Sequence, residues 1–390
     1  VAVNAGPEGE AVKKLAADYP GAKLEFQDFP YDSLRQQLLS VFRAGTDTFD
    51  IVMVDDPWFP ELAENFVDLN DVPPALLNDF VKTSLDLCRY PYRSGSLRAL
   101  PFVGNTEALF YRRDVLSRFH LDAPPTNWEE VARTAKQITA SSQSVLGKQV
   151  YGYAIRGKSG APVVTDFLPI YWSLGGRLLD DNANPRFESV DPALFRRALE
   201  IYRELKDASP PGATNYDWPE MTTDFIKGRV AMELNWPTAI PDLESKVAKT
   251  DKGRAWALAL PPGQNGPGTS MIGNWLLAVP SKSADRQSAQ AAIIWLSEQQ
   301  QRVATALNPP TRESVFAALA ASGNAEYFGV IGEALRNSTA RDRTPAWPTL
   351  EEAVSRSVTE YLAGRATAAI ATEHLVRDID RVFPKQTPSR

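Results

Sequence analysis

The chain has 390 residues, 43% hydrophobic and 23% charged, with 42 lysines and arginines against 48 acidic residues for a net charge of −6. At ~150 residues per domain this length suits two domains with sizeable cores, and the mild acidity argues against nucleic-acid phosphates or anionic lipid as the main partner. No apolar run approaches the ~18 residues of a membrane span, and the composition excludes collagenous and disordered classes.

The opening VAVNAG is a short apolar run ending in a turn, read as a buried strand. GEAVKKLAADYP follows with Val12, Leu15, Ala16 and Tyr19 at helical spacing, stopped by Pro20-Gly21. AKLEFQDFP alternates as a strand. YDSLRQQLLSVFRAG is an amphipathic helix with Asp32 or Ser33 as N-cap and Gly45 at its end. FDIVMVDD is a continuous apolar strand closed by Asp55 and Asp56. Strand alternating with helix over this stretch predicts a parallel, doubly wound sheet. Two short strand runs flank Gly104-Asn105, and a helix follows whose start carries a capping box, Thr126 with Glu129. Residues 166–205 read as two helices separated by GGRLLDDNANP. FIKGRVAMELNWP ends a helix, turns and forms a strand. Two strands then flank a Pro/Gly-rich loop around 261–269, and the remainder is helical: 284–306, 313–321, 325–335, 350–363 and 367–382.

The residue counts restrict the chemistry. Cys88 is the single cysteine, so no internal disulfide or thiolate metal cluster can form, and it reads as a buried small hydrophobe. His120 and His374 are the only histidines and read as surface or packing residues, which disfavours zinc hydrolases and Ser-His-Asp or Cys-His enzymes. No GxGxxG or GxxxxGK[ST] is present, so nucleotide-phosphate loops have no support. No cofactor and no metal is expected.

In an open parallel sheet, ligands gather at the carboxyl ends of the strands. Here those ends carry Asn4, Pro7 and Glu8, then Tyr31 and Asp32, then Asp55, Asp56 and Trp58. Carboxylates and amides pair with vicinal hydroxyls, and tryptophan offers a flat face to the C–H side of a sugar ring. The set fits a polyol or saccharide better than a metal or phosphate. Each residue also has a plain structural role open to it: Asp32 as a helix cap, Asp55-Asp56-Pro57 as an Asx turn, Trp58 as core. Trp128 and Trp295 sit on apolar helix faces and read as packing, whereas Trp218, Trp236, Trp275 and Trp347 lie at loop junctions, where binding residues concentrate. The acids also admit a glycosidase, which needs two carboxyls ~5 Å apart or somewhat more, although no pair stands out as acid and nucleophile.

The residues resemble the extracellular solute-binding proteins of sugar ABC importers, the large type that includes the maltose-binding protein. The likeness rests on FDIVMVDDPWFPELAENFVDLND, LPFVGNTEALFYRRDVL, WSLGGRLLDDN, FIKGRVAMELNWP, GNWLLAVPSKSADRQSAQAAIIWLSEQQQ, NPPTRESVF and RTPAWPTLEEAV, in the family's order along nearly the whole chain. It implies an α/β, two-lobe periplasmic-binding-protein fold (type II-like), each lobe a mostly parallel sheet flanked by helices. The lobes would be 1–109 plus 267–309 and 110–266 plus 310–390, with a ligand cleft and hinge between them. Positions matching the family's pocket are Pro7, Glu8, Tyr31, Asp32, Asp55, Trp58, Asn105, Thr106, Gly175, Gly176, Trp236, Gly273, Asn274, Trp275, Arg343 and Trp347; the residue reading adds Asp56 and Trp218. Arg112 and the pair Arg156 and Lys158 depart from the common pattern.

The function so implied is high-affinity binding of a mono- or disaccharide, polyol or glycoside. The receptor would close its lobes on the sugar and hand it unchanged to the transmembrane permease subunits of an ABC importer, acting as a monomer without chemistry. Arg156, Lys158 and Arg343 leave room for an anionic glycerol glycoside or a phospho- or sulfo-sugar, and the paired carboxylates for a glycoside hydrolase. The resemblance implies export, to the periplasm or as a lipid-anchored protein at the outer face of the membrane, and an export segment is expected to have preceded Val1.

Overall fold

The computed structural model describes residues 1–179, 190–250, 253–264 and 266–383. The chain divides into two compact units, Val1–Thr106 with Ile272–Pro345, and Glu107–Met271 with Ala346–Arg390.

The first unit is built on a five-stranded sheet whose order is Gln27–Phe29, Ala2–Asn4, Val52–Asp55, Trp275–Ala278, Leu100–Val103. The first three strands are parallel. Trp275–Ala278 runs antiparallel to both of its neighbours. Val52, Met53 and Val54 are buried without alternation, as expected of a strand covered on both faces. The helices Pro7–Ala16 and Tyr31–Ala44 connect the parallel strands, and Gly45 ends the second at φ 65°, a left-handed cap that a Cβ would penalise. Pro30 occupies the N-cap position of that helix, not Asp32 or Ser33; its fixed φ pre-sets the entry.

Strand direction decides which side chains share an edge. Asn4 and Asp55 end their parallel strands at the same edge, and the antiparallel strand begins there, with Trp275 paired to Asp55 on one side and to Val103 on the other. The turn through Asn105 and Thr106 leaves from that edge too, tied back by Gly273 N–H to Asn105 O at 2.9 Å. Gly104 is tight: its N–H donates to Pro309 O at 2.7 Å, and a Cβ there would stand 2.1 Å from Pro310 O. Gly104→Ala should therefore displace backbone and cost about 1–3 kcal/mol of stability, read as a lower urea midpoint at unchanged m-value.

The second unit holds a three-stranded sheet, Trp256–Ala259, Ala108–Arg112, Met232–Asn235, with both pairings antiparallel. Among the described residues, the mostly parallel sheet expected here is thus confined to isolated parallel bridges, Asn127 to Gly263, Tyr151 to Val230 and Ala154 to Glu233. Helices Trp128–Leu146, Ala161–Ser173, Pro192–Asp207, Trp347–Leu362 and Ala368–Val382 enclose a core that includes Trp128, Phe167, Phe195, Tyr202 and Trp347. The helix from Trp128 is capped by Asn127, whose side chain accepts from Glu130 N–H at 2.9 Å, not by Thr126 with Glu129. Residues 180–189, which hold most of the GGRLLDDNANP turn, lie outside the described residues.

Unit boundaries differ from those implied by the resemblance. Residues 310–345 were expected in the second lobe but pack within the first unit. Thr311 Oγ1 donates to Pro101 O at 2.9 Å, Arg312 pairs with Asp79 at 2.7 Å, and Thr83 Oγ1 donates to Leu335 O at 2.6 Å. Residues 107–109 belong with the second unit because Ala108 pairs with Asn235 and Leu109 with Ala259, and residues 267–271 fall on the same side.

Candidate functional site

In the first unit the carboxyl edge gathers an aromatic and acidic cluster. Tyr31, at the start of its helix, is 42% exposed and donates its hydroxyl to Asp55 Oδ2 at 2.7 Å. Its ring lies 4.8 Å from that of Trp58 and 6.0 Å from that of Trp275, and the two indoles meet edge to face at 5.8 Å. Four predicted residues from three separate segments, Tyr31, Asp55 with Trp58, and Trp275, therefore meet around the Tyr31 side chain. Trp58 arrives there through the short 3-10 turn Asp56–Trp58, whose second residue, Pro57, has its φ pre-set for the turn.

Behind this cluster sits a buried ion network. Asp56, with no solvent exposure, takes Arg341 on Oδ2 at 3.2 Å and Arg343 on Oδ1 at 3.1 Å. Asn274 N–H also donates to Asp56 Oδ2 at 3.0 Å, and its Nδ2 donates to Ser84 Oγ at 2.7 Å. Arg343 further donates to Asp56 O at 2.6 Å and Leu87 O at 3.0 Å, with its guanidinium 5.7 Å from the Tyr92 ring centroid. Its expected role as a ligand cation does not fit, because its donors already serve this network. Arg341 also lies 3.8 Å from Asp55 Oδ1. Burial pushes the Asp55 carboxyl up to about 7; Arg341 and the Tyr31 hydroxyl pull it down, and Asp56 adds to the rise.

The other first-unit candidates are less concentrated. Glu8 accepts from Asn4 Nδ2 at 3.2 Å, and burial raises its carboxyl above the usual range. Pro7 is exposed at the first turn of its helix, Asn105 is half-buried, and Thr106 and Gly273 are buried around the bridge from Thr106 to Ile272. The side chain of Asp32 lies outside the described residues. Among the described residues, the buried Oδ1 atoms of Asn4, Asn105 and Asn274 have no hydrogen-bond partner.

The second unit carries Gly175, Gly176, Trp218, Trp236 and Trp347. Gly175 is exposed at φ 93°, and Gly176 is packed so closely that a Cβ would fall 2.1 Å from the Tyr171 ring; both shape the turn after Ala161–Ser173. Trp218 is 45% exposed, at the start of a helix capped by Asp217. Trp347, expected in the pocket, is 2% exposed and belongs to the core of the second unit. Its place at a loop-helix junction also suits the first buried residue of an amphipathic helix.

Trp236 is half-buried over a charged cluster that the sequence reading missed. The Arg156 guanidinium lies 5.7 Å from its ring and pairs with Glu107 at 3.0 Å, while donating to Thr165 Oγ1 at 2.9 Å and Leu234 O at 3.2 Å. Asp166 accepts from Arg156 N–H and from Tyr202 O–H, both at 2.9 Å. Asn235 donates to Glu233 at 2.7 Å and to Thr222 at 2.9 Å. Burial lifts Glu233 to about 8, against the opposing effects of Asn235 and Arg156. The alternation of MELN predicts Glu233 on a solvated face, whereas all four residues are buried; Arg156 and Asp166, which bear on Glu233 from other segments, are not readable in that pattern.

A model of the bacterial extracellular solute-binding protein family matches residues 5–303. One relative, a probable amino-acid ABC transporter periplasmic-binding protein of Sinorhizobium fredii, is 23% identical over 305 residues, 75% of this chain and 67% of its own length. Among solved structures, maltose-bound MalE3 of T. maritima is similar with a TM-score of 0.80 at 24% identity, covering 98% of this chain and 99% of that one. An ABC transporter solute-binding protein from Agrobacterium radiobacter K84 in complex with ribitol gives 0.79 at 24%, covering 98% of each chain. At these identities the structural likeness concerns the fold, a mixed α/β architecture of two lobes.

Proposed function

Since the chain belongs to the bacterial extracellular solute-binding proteins, we propose that it is the receptor of an ABC importer for an uncharged saccharide or polyol, which it binds and releases without chemical change. The observation that carries this reading is the first-unit cluster, an exposed tyrosine ring backed by two indoles and bonded to a buried carboxylate. Ring faces suit the C–H side of a sugar, and Asp55 suits its hydroxyls. The structures of similar fold hold maltose and ribitol, which fits the same solute class.

The state of the arginines supports an uncharged solute. Arg343 and Arg156 are engaged inside their own units, and Lys158 pairs with Asp217 at 3.2 Å. Binding without hydrolysis is supported by Asp56: held between two guanidiniums, it is poorly placed to act as a second carboxyl opposite Asp55. The chain passes between its units at 106–107, 271–272 and 345–346. A solute that favours one arrangement of the units would shift their population about these points and so signal occupancy to the permease. Among the described residues, no helix is long and apolar enough to cross a membrane, which fits a receptor working outside it.

Calorimetric titration with ribitol, hexitols, hexoses, maltose, sugar phosphates and amino acids tests this reading. Heat is expected from at least one uncharged carbohydrate, and Trp58→Ala should weaken that binding at least tenfold, as for a central aromatic anchor worth about 2 kcal/mol. Binding confined to amino acids or sugar phosphates would overturn the proposal, as would turnover of an aryl glycoside that is lost in Asp55→Asn.

A further inference from the structure

Asp55 is a nearly buried carboxylate with a hydroxyl donor on one side and a guanidinium on the other. On one side Tyr31, from the helix Tyr31–Ala44, donates to Oδ2 at 2.7 Å. On the other, Arg341, from the segment after the helix Ala325–Arg336, approaches Oδ1 to 3.8 Å while its closer contact, 3.2 Å, is to Asp56. Asp56 follows directly and faces the same guanidinium, with Arg343 on its far oxygen. These are the charged and titratable groups that bear on Asp55. Arg343 is fastened to the Asp56 carbonyl and to Leu87 O, which leaves Arg341 as the cation nearest Asp55. Arg341 and Asp55 are both nearly inaccessible, at 5% and 6% exposure, so water screens their interaction weakly.

We propose that Arg341 is a positioning residue that acts through Asp55: seated against the two consecutive carboxylates, it keeps Asp55 an ionised acceptor for a ligand hydroxyl, so that solute affinity rises with pH through the neutral range. The inference rests on the functional reading above, because it takes Asp55 to touch the solute. Its physical basis is a balance. Burial and Asp56 favour the proton on Asp55, Arg341 and Tyr31 oppose it, and the carboxyl is left at about 7, where removing one opponent changes its charge at working pH. A neutral carboxyl carries one hydrogen that must be donated, and it loses acceptor capacity toward a ligand hydroxyl.

The test follows the Asp55 carboxyl by carbon NMR in aspartate-labelled protein, its signal assigned with Asp55→Asn, alongside titrations with ribitol and maltose from pH 5 to 9. Arg341→Gln is expected to move the Asp55 midpoint up by about one pH unit or more, and Arg341→Lys to restore most of it. With only the ionised form competent, a midpoint moved from about 7 to about 8 weakens binding about fivefold at pH 7, and the two proteins converge by pH 9. An unmoved midpoint in a folded Arg341→Gln protein overturns the inference. So does a wild-type affinity that stays flat from pH 5 to 9, a measurement available even where the variant does not fold. A midpoint that moves in a protein that binds no carbohydrate at any pH overturns instead the assignment of solute class, and with it the link from Asp55 to binding.

Discussion

Asp56→Ala is expected to lower the stability of the first unit by about 3–5 kcal/mol, the usual consequence of removing one partner from a buried ion network. Two guanidiniums, Arg341 and Arg343, lose the carboxylate between them, and the Asn274 N–H loses its acceptor. Neither cation can reach water readily, since their side chains are 6% and 5% exposed. Asp56→Asn keeps the shape and one acceptor and should fall between. Urea unfolding followed by circular dichroism reads the effect. The double variant Asp56→Ala with Arg343→Met should recover part of the loss, because one orphaned charge disappears with its partner. A loss below ~1 kcal/mol in the single variant would show that water or another group neutralises the arginines, contrary to the geometry.

The second large effect concerns Glu233. Its carboxyl is raised from an ordinary 4.5 to about 8 by burial, with Asp166 and Asp224 adding to the rise. Between those values the folded protein holds a proton that the unfolded chain has released. The unfolded state therefore binds fewer protons, and stability falls as pH rises. This group contributes no penalty below pH 4.5, a growing one from 4.5 to 8 and its full penalty above. Glu233→Gln removes the titration while keeping an oxygen for the Asn235 amide. The variant should be more stable than the wild type by about 2–4 kcal/mol at pH 8 and nearly equal to it at pH 4.5. Denaturant midpoints across that range check the sign. A constant difference, or one that shrinks as pH rises, would mean that Glu233 is ionised in the folded protein and paired with Arg156.

Much of the first unit was legible because strong local signals agreed. The continuous run before Asp55, the proline after Asp56 and the tryptophan beyond it fix a buried strand, its end and the turn that carries Trp58 to Tyr31. Arg341 was not legible: its partner lies 285 residues away, and an arginine in an irregular segment carries no period to read. The direction of the second unit's strands was hidden for a related reason. Short buried runs such as Ala108–Arg112 and Met232–Asn235 look alike in parallel and antiparallel sheets. At the helix from Trp128, Thr126 and Asn127 both have capping chemistry, and a one-residue choice between them turns on backbone geometry. The segment 310–345 was assigned by analogy of order along the chain, while its actual place is set by Gln300, Asp79 and Pro101, residues of the first unit.

The antiparallel strand Trp275–Ala278 occupies an interior slot of the first sheet, between Val52–Asp55 and Leu100–Val103. During synthesis those two neighbours emerge first and wait with an open gap while Glu107–Met271 is made. Two apolar strand edges stay unzipped for that interval, a hazard for mispairing with other nascent chains. The first unit is thus begun before Glu107–Met271 and closed only after it, and its maturation is governed by the long-range return of one short segment rather than by local structure.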